Sequence, residues 1–498
     1  METIKRLHWP KLAWVATLDG RQVLLEHGPA VEAFDDWAFE GTWEGCFVEG
    51  DFDRHENVMG TGLRIRGDRV VFAPPSHTCD KLYYVQATPS SPACVSNSLP
   101  CLLATRNLML APGADHATVV RSVVGGIDKA RTVLKTDAAD IHLHYYHLLV
   151  WDGQQFEVQA RRSEAPAFAS YQEYFSYLKS VGRGLWQNLY ARERAHAVKV
   201  SATTISSGYD SAAVSAIVRE IGVKLAYTLK RRSLVSRDDS GRAAAERLGL
   251  EVLECRSPFT GLTGHERFWA NMGDGEDMNL LAFPVPQGPS CLFTGFHGDK
   301  VWSRHTTSLD LTHLQRGDMS GGSSTEYRIA AGIIHCPLVF CGLSQVRSIQ
   351  KISTSFEMMP WVLGVAYDRP IPRRILEEAG VARSLFGQKK SAAVLPSLLT
   401  VYPGEANVRH ALNRYLRSQR RPIVCRSRML RAWAWLLYDH ACLRVGLAPA
   451  GRWKKLPPSA DELFAFSNEY LRQQLTAGAA SEARASLARQ VATAGIYL

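Results

Sequence analysis

A cluster of small and polar residues lies at 203–214, TTISSGYDSAAV, between an apolar run and a helix-like run. The cluster contains these serine, glycine and aspartate residues: Ser206, Ser207, Gly208, Asp210 and Ser211. The unpaired N–H groups at the start of a helix and its positive dipole end bind phosphate. Gly208 lets the backbone approach a phosphate closely, and the hydroxyls of Ser206 and Ser211 add donors. Asp210 repels phosphate, so we expect it either to hold Mg²⁺ against phosphate oxygens or to cap the helix.

Alternating strand and helix patterns surround this cluster. Strand-like and helix-like runs follow one another at 196–205, 210–222, 224–229, 238–249, 250–255 and 289–299. Such alternation favours a doubly wound parallel sheet, in which a ligand binds beyond the carboxyl ends of the strands. From about residue 325 onward the pattern is mostly helical, and MSGGSSTE at 319–326 has the composition of a flexible connector and lid.

The first third of the chain has a different pattern. Short apolar runs separated by Gly, Pro, Asp and Ser recur up to about residue 165, and 140–160 reads as a hairpin around Asp152 and Gly153. We therefore predict an antiparallel, β-rich domain over 1–165. A second domain over 166–498 would contain the parallel sheet and a helical C-terminal part.

Composition and charge narrow the class of protein. An apolar fraction of 46% in 498 residues allows a sizeable core. The net charge of +10 suits nucleotides and other acidic partners, and a solvated basic surface explains it equally. The Lys/Arg clusters at 230–233 and 417–422 are not interleaved with aromatic residues. A nucleic-acid binder is therefore supported by nothing except the net charge.

Cysteine spacing and apolar segments argue against zinc ribbons and membrane spans. The ten cysteines include no CxxC pair, so neither a zinc ribbon nor a thioredoxin-like motif is supported. The first residues lack the apolar core of a signal peptide. The apolar segment 423–447 contains four arginines and one aspartate, which favours a buried core helix over a membrane span. We expect a soluble, cytoplasmic protein without a membrane partner.

The hexapeptide SSGYDS at 206–211 resembles SGGxDS, the pyrophosphate loop of the N-type ATP pyrophosphatases, and no Walker A pattern occurs in the chain. It is most similar to the asparagine synthetase branch, which includes β-lactam synthetases and lasso peptide cyclases. Further segments resemble that branch in the same order: LVSRDDSGRAAAERLGLEV at 234–252, LFTGFHGDKVW at 292–302, MMPWV at 358–362 in place of an RVPFLD-like run, and FGQKKSAAV at 386–394. Thr294, Gly295 and Asp299 match the family's SGxGxDE pattern, with Gly298 one place after its second glycine.

The resemblance implies an adenine nucleotide α-hydrolase-like (PP-loop) fold and a two-step reaction that uses ATP and Mg²⁺. A substrate carboxylate attacks the α-phosphate and releases pyrophosphate, and a nitrogen nucleophile then displaces AMP to form an amide. By this resemblance the 206–211 loop cradles pyrophosphate, while Asp210 and Asp299 hold the metal. Lys389 or Lys390 offsets negative charge on the α-phosphate and on the tetrahedral intermediate; the first of them follows glutamine, as in the family's RQK pattern.

Several positions depart from the family pattern. Asparagine synthetases have glutamate, and β-lactam synthetases tyrosine, where this chain has Phe296, which cannot titrate. Lasso cyclases can show histidine in this stretch, so His297 is either a general base for the amine or a structural residue. Ser207 replaces a loop glycine and Lys300 replaces an acidic residue. An acidic loop, Asp274, Glu276 and Asp277, lies where the family places substrate-facing residues and is either a site for an amine or a solvated turn.

The N-terminal half resembles a degenerate Ntn-type glutaminase domain, chiefly in VSNSLPCLLA at 95–104. Asparagine synthetases begin Met-Cys, and that cysteine releases ammonia from glutamine; this chain begins Met1-Glu2-Thr3. β-Lactam synthetases and lasso cyclases share the loss and use a substrate amine instead. The resemblance thus implies an amide ligase of peptide or natural-product maturation, such as a macrolactam cyclase, with a precursor peptide and leader-processing proteins as partners. The alternatives are a synthetase that uses ammonia or a small amine, and a non-catalytic nucleotide-binding relative.

Overall fold

The structure is a computed structural model of the chain. It describes residues 1–112, 115–162, 165–230, 239–256, 283–284, 288–305, 309–322, 324–365, 367–388, 406–423, 427, 430–431, 434–435, 437–438, 441–442, 458 and 460–493. The side chains of 460 and 482–493 are outside this description. Lys389, Lys390 and the acidic loop with Asp274, Glu276 and Asp277 lie outside the described residues, as does most of the apolar segment 423–447.

Two mainly antiparallel sheets fill the first 160 residues. Their strands are β1 Glu2–Lys5, β2 Trp14–Asp19, β3 Gln22–His27, β4 Glu32–Ala33, β5 Trp37–Trp43, β6 Val58–Arg66, β7 Arg69–Ala73, β8 Leu82–Val85, β9 Ala93–Ser96, β10 Val133–Lys135, β11 Asp140–His144, β12 Leu148–Trp151 and β13 Phe156–Gln159. One sheet has the order β1-β3-β2-β9-β8-β11-β10 and the other β13-β12-β7-β6-β5-β4. Each neighbouring pair is antiparallel except β1 with β3. The hairpin expected at 140–160 is present as β12 and β13.

The two antiparallel sheets pack face to face. Trp14 and Leu25 of one sheet and Phe72, Leu149 and Trp151 of the other are buried in one core cluster. Burial of large apolar side chains removes their surface from water, and this drives the sheets together. The β-rich first domain predicted from the sequence is therefore confirmed as an antiparallel-rich sheet domain.

Helices join and flank the sheets. They are α1 Leu99–Arg106, α2 His116–Arg121, α3 Tyr171–Leu189, α4 Asp210–Arg219, α5 Arg242–Arg247, α6 Gly298–Val301, α7 Thr325–Ala331, α8 Val346–Thr354, α9 Pro370–Glu378, α10 Ala406–Ser418 and α11 Ala460–Thr493. Short 3-10 turns occur at Phe47–Glu49, Phe52–Arg54, Ser122–Gly125, Ile127–Lys129, Leu311–His313, Leu338–Phe340, Leu343–Gln345, Phe356–Trp361 and Arg383–Leu385. Within the part of the chain that the structure describes, no helix is both long enough and apolar enough to cross a membrane.

Helix α3 shows why this sequence makes a helix at the start of the second half. Ser170 caps it by accepting a hydrogen bond from the Glu173 amide at 3.2 Å, and the Glu173 side chain accepts from the Ala169 amide at 2.8 Å. This pairing resembles a capping box. Tyr174 and Leu178, four residues apart on one face, are fully buried.

A parallel sheet of five strands lies in the second half. The strands are β14 Val200–Thr204, β15 Leu225–Lys230, β16 Glu251–Arg256, β17 Ser290–Thr294 and β18 Ile333–Pro337, and the order is β16-β15-β14-β17-β18. All four pairs are parallel. The parallel sheet predicted from the alternating pattern is confirmed. The chain runs one way from β14 to β16 and the other way from β14 to β18, so the order reverses between β14 and β17. Sheets of this kind usually bind their ligands at such a reversal.

Buried ion pairs join the two halves. Arg328 of α7 donates to both carboxylate oxygens of Glu40 at 2.8 and 2.9 Å, and its Nε lies 2.9 Å from Oδ2 of Asp80. Glu326, also on α7, accepts from the Ser98 hydroxyl at 2.7 Å and from the Leu99 amide at 2.9 Å. The segment expected to be a flexible connector is part of this packed junction: Met319 is 2% exposed, and Gly321 packs against Cys79 and Phe296.

Candidate functional site

The loop after β14 is cross-linked by its own hydroxyls. The Ser206 amide donates to Oγ of Ser211 at 3.0 Å, and the two hydroxyl oxygens lie 3.0 Å apart. The Gly208 amide donates to Oγ of Ser206 at 3.2 Å. Helix α4 starts at Asp210 because the apolar run Ala212–Val218 that follows can bury itself between the sheet and its neighbours. The predicted strand–loop–helix arrangement therefore occurs with Ser206, Gly208 and Ser211 in one compact turn.

Ser207, the serine that replaces a family glycine, anchors the loop to two other segments. Its amide donates to the Asp239 carbonyl at 3.1 Å, and its hydroxyl donates to Oδ1 of Asp239 at 2.5 Å. Its carbonyl accepts from the Gly387 amide at 2.8 Å. Two of the segments that resemble the family, those at 234–252 and 386–394, thus reach the 206–211 loop in their described parts.

The segment after β17 lies directly against Asp210. A Cβ added to Gly295 would lie 2.5 Å from the Asp210 carbonyl carbon, and one added to Gly298 would lie 2.7 Å from the Asp210 Cβ. Both distances are far below a normal contact, so only glycine allows this approach. Asp299 follows in the first turn of α6. The structure therefore brings together the two segments that the sequence predicted to face one ligand.

The two predicted metal-binding carboxylates carry basic partners. Asp210 pairs with Arg369, and Lys300 donates to Oδ2 of Asp299 at 2.5 Å. Burial lowers the pKa of Arg369, but the charges of Asp210 and Asp299 outweigh it and hold that pKa above its usual value. Arg369 contacts Asp210, and the charge of Asp299 is near enough to act on the same guanidinium. Two carboxylates can hold Mg²⁺ when phosphate oxygens complete its shell, and among the described residues no group of three or more His, Cys, Asp or Glu side chains forms a metal cage.

Contacts of the buried Tyr209 side chain also hold the 206–211 loop in place. Arg373 donates to the Tyr209 hydroxyl and, at 2.7 Å, to the Trp361 carbonyl, which lies in the segment 358–362. A Cβ on Gly387 would lie 2.3 Å from the Tyr209 ring, so this glycine permits another close approach. Tyr209 is 1% exposed, and its ring lies 4.9 Å from that of Tyr367 between centroids, tilted by 52°. Tyr209 therefore anchors the loop, while its neighbours Gly208 and Asp210 are only partly buried.

His297 has the surroundings of a structural residue. Its ring stacks on Phe340 with centroids 4.7 Å apart and an interplanar angle of 17°. Burial, and then the charges of Arg316 and Lys300, lower the pKa of His297 to about 3. A ring with this pKa is a weak base at neutral pH, which favours the structural alternative. Phe296 packs edge-on against His335 at 5.4 Å.

The first residues lie away from this site. β1 is an edge strand, Glu2 is exposed, and the Met1 ammonium donates to the Asp35 carbonyl at 3.2 Å. A cavity of about 720 Å³ lies elsewhere, between residues 7–11, Glu326 and the C-terminal helix α11. Its lining contains none of the residues that the sequence predicted for the nucleotide.

Sequence reasoning missed Arg369, Asp239 and Gly387. Arg369 pairs with a residue 159 positions earlier in the chain, and no motif marks that partnership. Asp239 and Gly387 lie inside segments that already resembled the family. Their position within those segments is the signal that could have identified them. A scan of protein-family models finds no match to this chain, and a search of curated proteins finds no significant match.

Proposed function

We propose that the chain is an ATP-dependent, AMP-forming amide ligase. It would adenylate a substrate carboxylate with release of pyrophosphate and transfer the acyl group to an amine. The observation that carries this proposal is the meeting of the 206–211 and 295–299 segments at the reversal point of a parallel sheet, with Gly387 bonded to the same loop. Ligands of such sheets bind at that point.

Each part of the site has a role in this proposal. The Ser206 and Ser211 hydroxyls and the first turn of α4 would bind the β- and γ-phosphates, because the hydroxyls lie beside the start of a helix, where the dipole favours an anion. Asp210 and Asp299 would hold Mg²⁺, which when bound neutralises charge on the phosphate oxygens. Lys389 or Lys390 would stabilise charge at the α-phosphate, as the family resemblance implies.

The proposed substrate carries both reacting groups or meets a second substrate that supplies the amine. The resemblance to β-lactam synthetases and lasso cyclases favours a substrate amine over ammonia from glutamine. We therefore propose peptide or natural-product maturation, such as macrolactam formation on a precursor peptide. An enzyme that uses free ammonia or a small amine is the closest alternative.

A non-catalytic nucleotide-binding role is a second candidate. It is favoured by the segment after β17, where Phe296 cannot titrate and the pKa of His297 is lowered to about 3 by burial. Neither side chain would take a proton from an amine at neutral pH. Under this candidate the chain binds MgATP but supports no pyrophosphate exchange with any carboxylate substrate.

Titration with MgATP tests the shared nucleotide site, and ATP–pyrophosphate exchange with candidate carboxylate peptides separates the two candidates. We expect Asp210→Ala and Asp299→Ala each to weaken MgATP binding by about 100-fold, because each would remove a metal ligand. Asp68→Ala is the matched control, since Asp68 is 63% exposed and pairs only loosely, at 3.6 Å, with Arg21. Wild-type chain that does not bind MgATP, or Asp210→Ala chain that binds it normally, would contradict the proposal.

A further inference from the structure

The guanidinium of Arg369 lies beside the 206–211 loop in a fixed position. Its side chain is 6% exposed and pairs with Oδ2 of Asp210. It also lies over the ring of Tyr367, 5.0 Å from the centroid, and that ring packs at a tilt against Tyr209. A cation–π contact holds the plane of the guanidinium without consuming its N–H donors.

The only hydrogen bond that this side chain donates within the described residues goes from Nη1 to Asp210. A guanidinium has five N–H donors in a planar fork, and that fork matches two oxygens of a phosphate. An almost buried arginine that uses so few donors has capacity for a further anionic partner. The neighbouring loop, with its hydroxyls and the start of α4, favours a phosphate as that partner.

We propose that Arg369 is a phosphate-binding residue and that, in the nucleotide-free chain, it takes the place at Asp210 that a bound cation takes in the nucleotide complex. The inference rests on the proposed function. When Mg²⁺ binds the Asp210 carboxylate, the guanidinium loses that partner and its donors turn to the phosphate oxygens. Asp210 is therefore neutralised in both states, and the site does not hold an uncompensated carboxylate while empty.

Binding of inorganic pyrophosphate without Mg²⁺ tests directly whether Arg369 exchanges Asp210 for a phosphate. In Asp210→Asn the guanidinium is released, so we expect pyrophosphate to bind at least about 10-fold more tightly than to wild type. Adding Arg369→Gln to that variant removes the gain, whereas adding Arg369→Lys keeps only part of it, because lysine retains the charge and lacks the fork. A double variant with Arg369→Gln that keeps the full gain would overturn the inference.

Binding of MgATP gives a second readout. We expect Arg369→Gln to weaken it by about 10-fold, Arg369→Lys by less, and the control Arg383→Gln not at all. Arg383 is a suitable control because it is exposed and pairs with Glu377. If Arg369 only competed with the metal, Arg369→Gln would bind MgATP more tightly, and that result would reject a phosphate contact. If Arg369→Gln does not fold, an unchanged MgATP affinity in Arg369→Lys rejects the phosphate contact.

The two proposals fail separately. A chain that binds MgATP and exchanges pyrophosphate equally well with Arg369→Gln keeps the ligase proposal and loses the role of Arg369. A chain that binds no MgATP, but whose Asp210→Asn variant captures pyrophosphate through Arg369, supports the phosphate contact and rejects the ligase.

Discussion

Two arginine–carboxylate contacts, Arg328 at the junction of the halves and Arg369 at the reversal of the parallel sheet, differ in how fully the charges are satisfied. Arg328 contacts two carboxylates, Glu40 and Asp80, with three short distances of 2.8–2.9 Å. The side chains of all three are at most 4% exposed. Arg369 contacts one carboxylate, and the Asp210 side chain is 19% exposed. A closed cluster of three buried charges holds a structure together, whereas a pair whose carboxylate is partly exposed can exchange partners.

The junction should give the largest effect on stability. Arg328→Met leaves the carboxylates of Glu40 and Asp80 buried without a counter-ion, so we expect it to lower the free energy of unfolding by about 3–5 kcal/mol. Urea unfolding measures this loss. Arg64→Met is the control, because Arg64 pairs with the half-exposed Asp36 and should lose no more than about 1 kcal/mol. Equal losses of unfolding free energy in the two variants would show that the buried Arg328 cluster stabilises the fold no more than a partly exposed pair does.

A methyl group at Gly298 should affect binding more than stability. The added Cβ of Gly298→Ala would lie 2.7 Å from the Asp210 Cβ and so push the two loops apart. We expect MgATP to bind about 10-fold more weakly or worse, with a loss of about 1–3 kcal/mol in unfolding free energy. Gly125→Ala is the matched control, since its Cβ would meet only the Lys129 Cβ at 3.7 Å. Unchanged MgATP binding in Gly298→Ala would place the nucleotide elsewhere.

Glu326 should make the junction sensitive to pH. Burial, opposed by the hydrogen bonds from Ser98 and Leu99, raises the pKa of Glu326 from 4.5 to about 7. The folded chain therefore holds a proton that the unfolded chain releases across this window, and the contribution of Glu326 to stability falls as pH rises through it.

The comparison of Glu326→Gln with wild type isolates this contribution, because the buried histidines titrate alike in both. We expect the unfolding free energy of the variant, relative to wild type, to increase by about 2 kcal/mol between pH 5 and pH 8. Glu246→Gln, on the exposed face of α5, is the control. A pH-independent difference would show that the carboxylate stays charged in the folded chain.

The smallest effect is expected at Ser207. Ser207→Ala removes the hydroxyl bond to Asp239 but keeps the backbone bonds to Asp239 and Gly387, so the loop should remain in place. We expect a loss of about 1 kcal/mol in unfolding free energy and less than a 3-fold change in MgATP affinity. A much larger loss of affinity would mean that the hydroxyl itself contacts the nucleotide.

Local patterns predicted the parallel sheet but not all of it. The apolar runs that became β14 to β17 lie between clear helix patterns, and all four were expected. The fifth strand, Ile333–Pro337, falls where a mostly helical pattern was expected. Five buried residues are too few to distinguish a strand from a helix turn by periodicity. Its pairing with β17, more than 30 residues earlier, decides the outcome.

Long-range contacts account for the other differences between the sequence-based predictions and the structure. MSGGSSTE at 319–326 has the composition of a flexible segment, yet Gly321 is buried because its missing side chain leaves room for Cys79 and Phe296. The turn between strand and helix at SSGYDS could be predicted because the reason lies within six residues, and its binding of phosphate stays a prediction. Arg369 could not, because its partner Asp210 comes from a different element. The roles of Lys389 and Lys390 stay predictions.

The junction also bears on how such a chain can change over generations. Glu40 and Asp80 come from the first half and Arg328 from the second, and Ser98 and Leu99 likewise bind Glu326 across the boundary. A gene that lost its first 165 codons would encode a second half with a buried cation and a buried carboxylate that lack partners. The first half therefore supplies the partners that these two buried charges of the second half require.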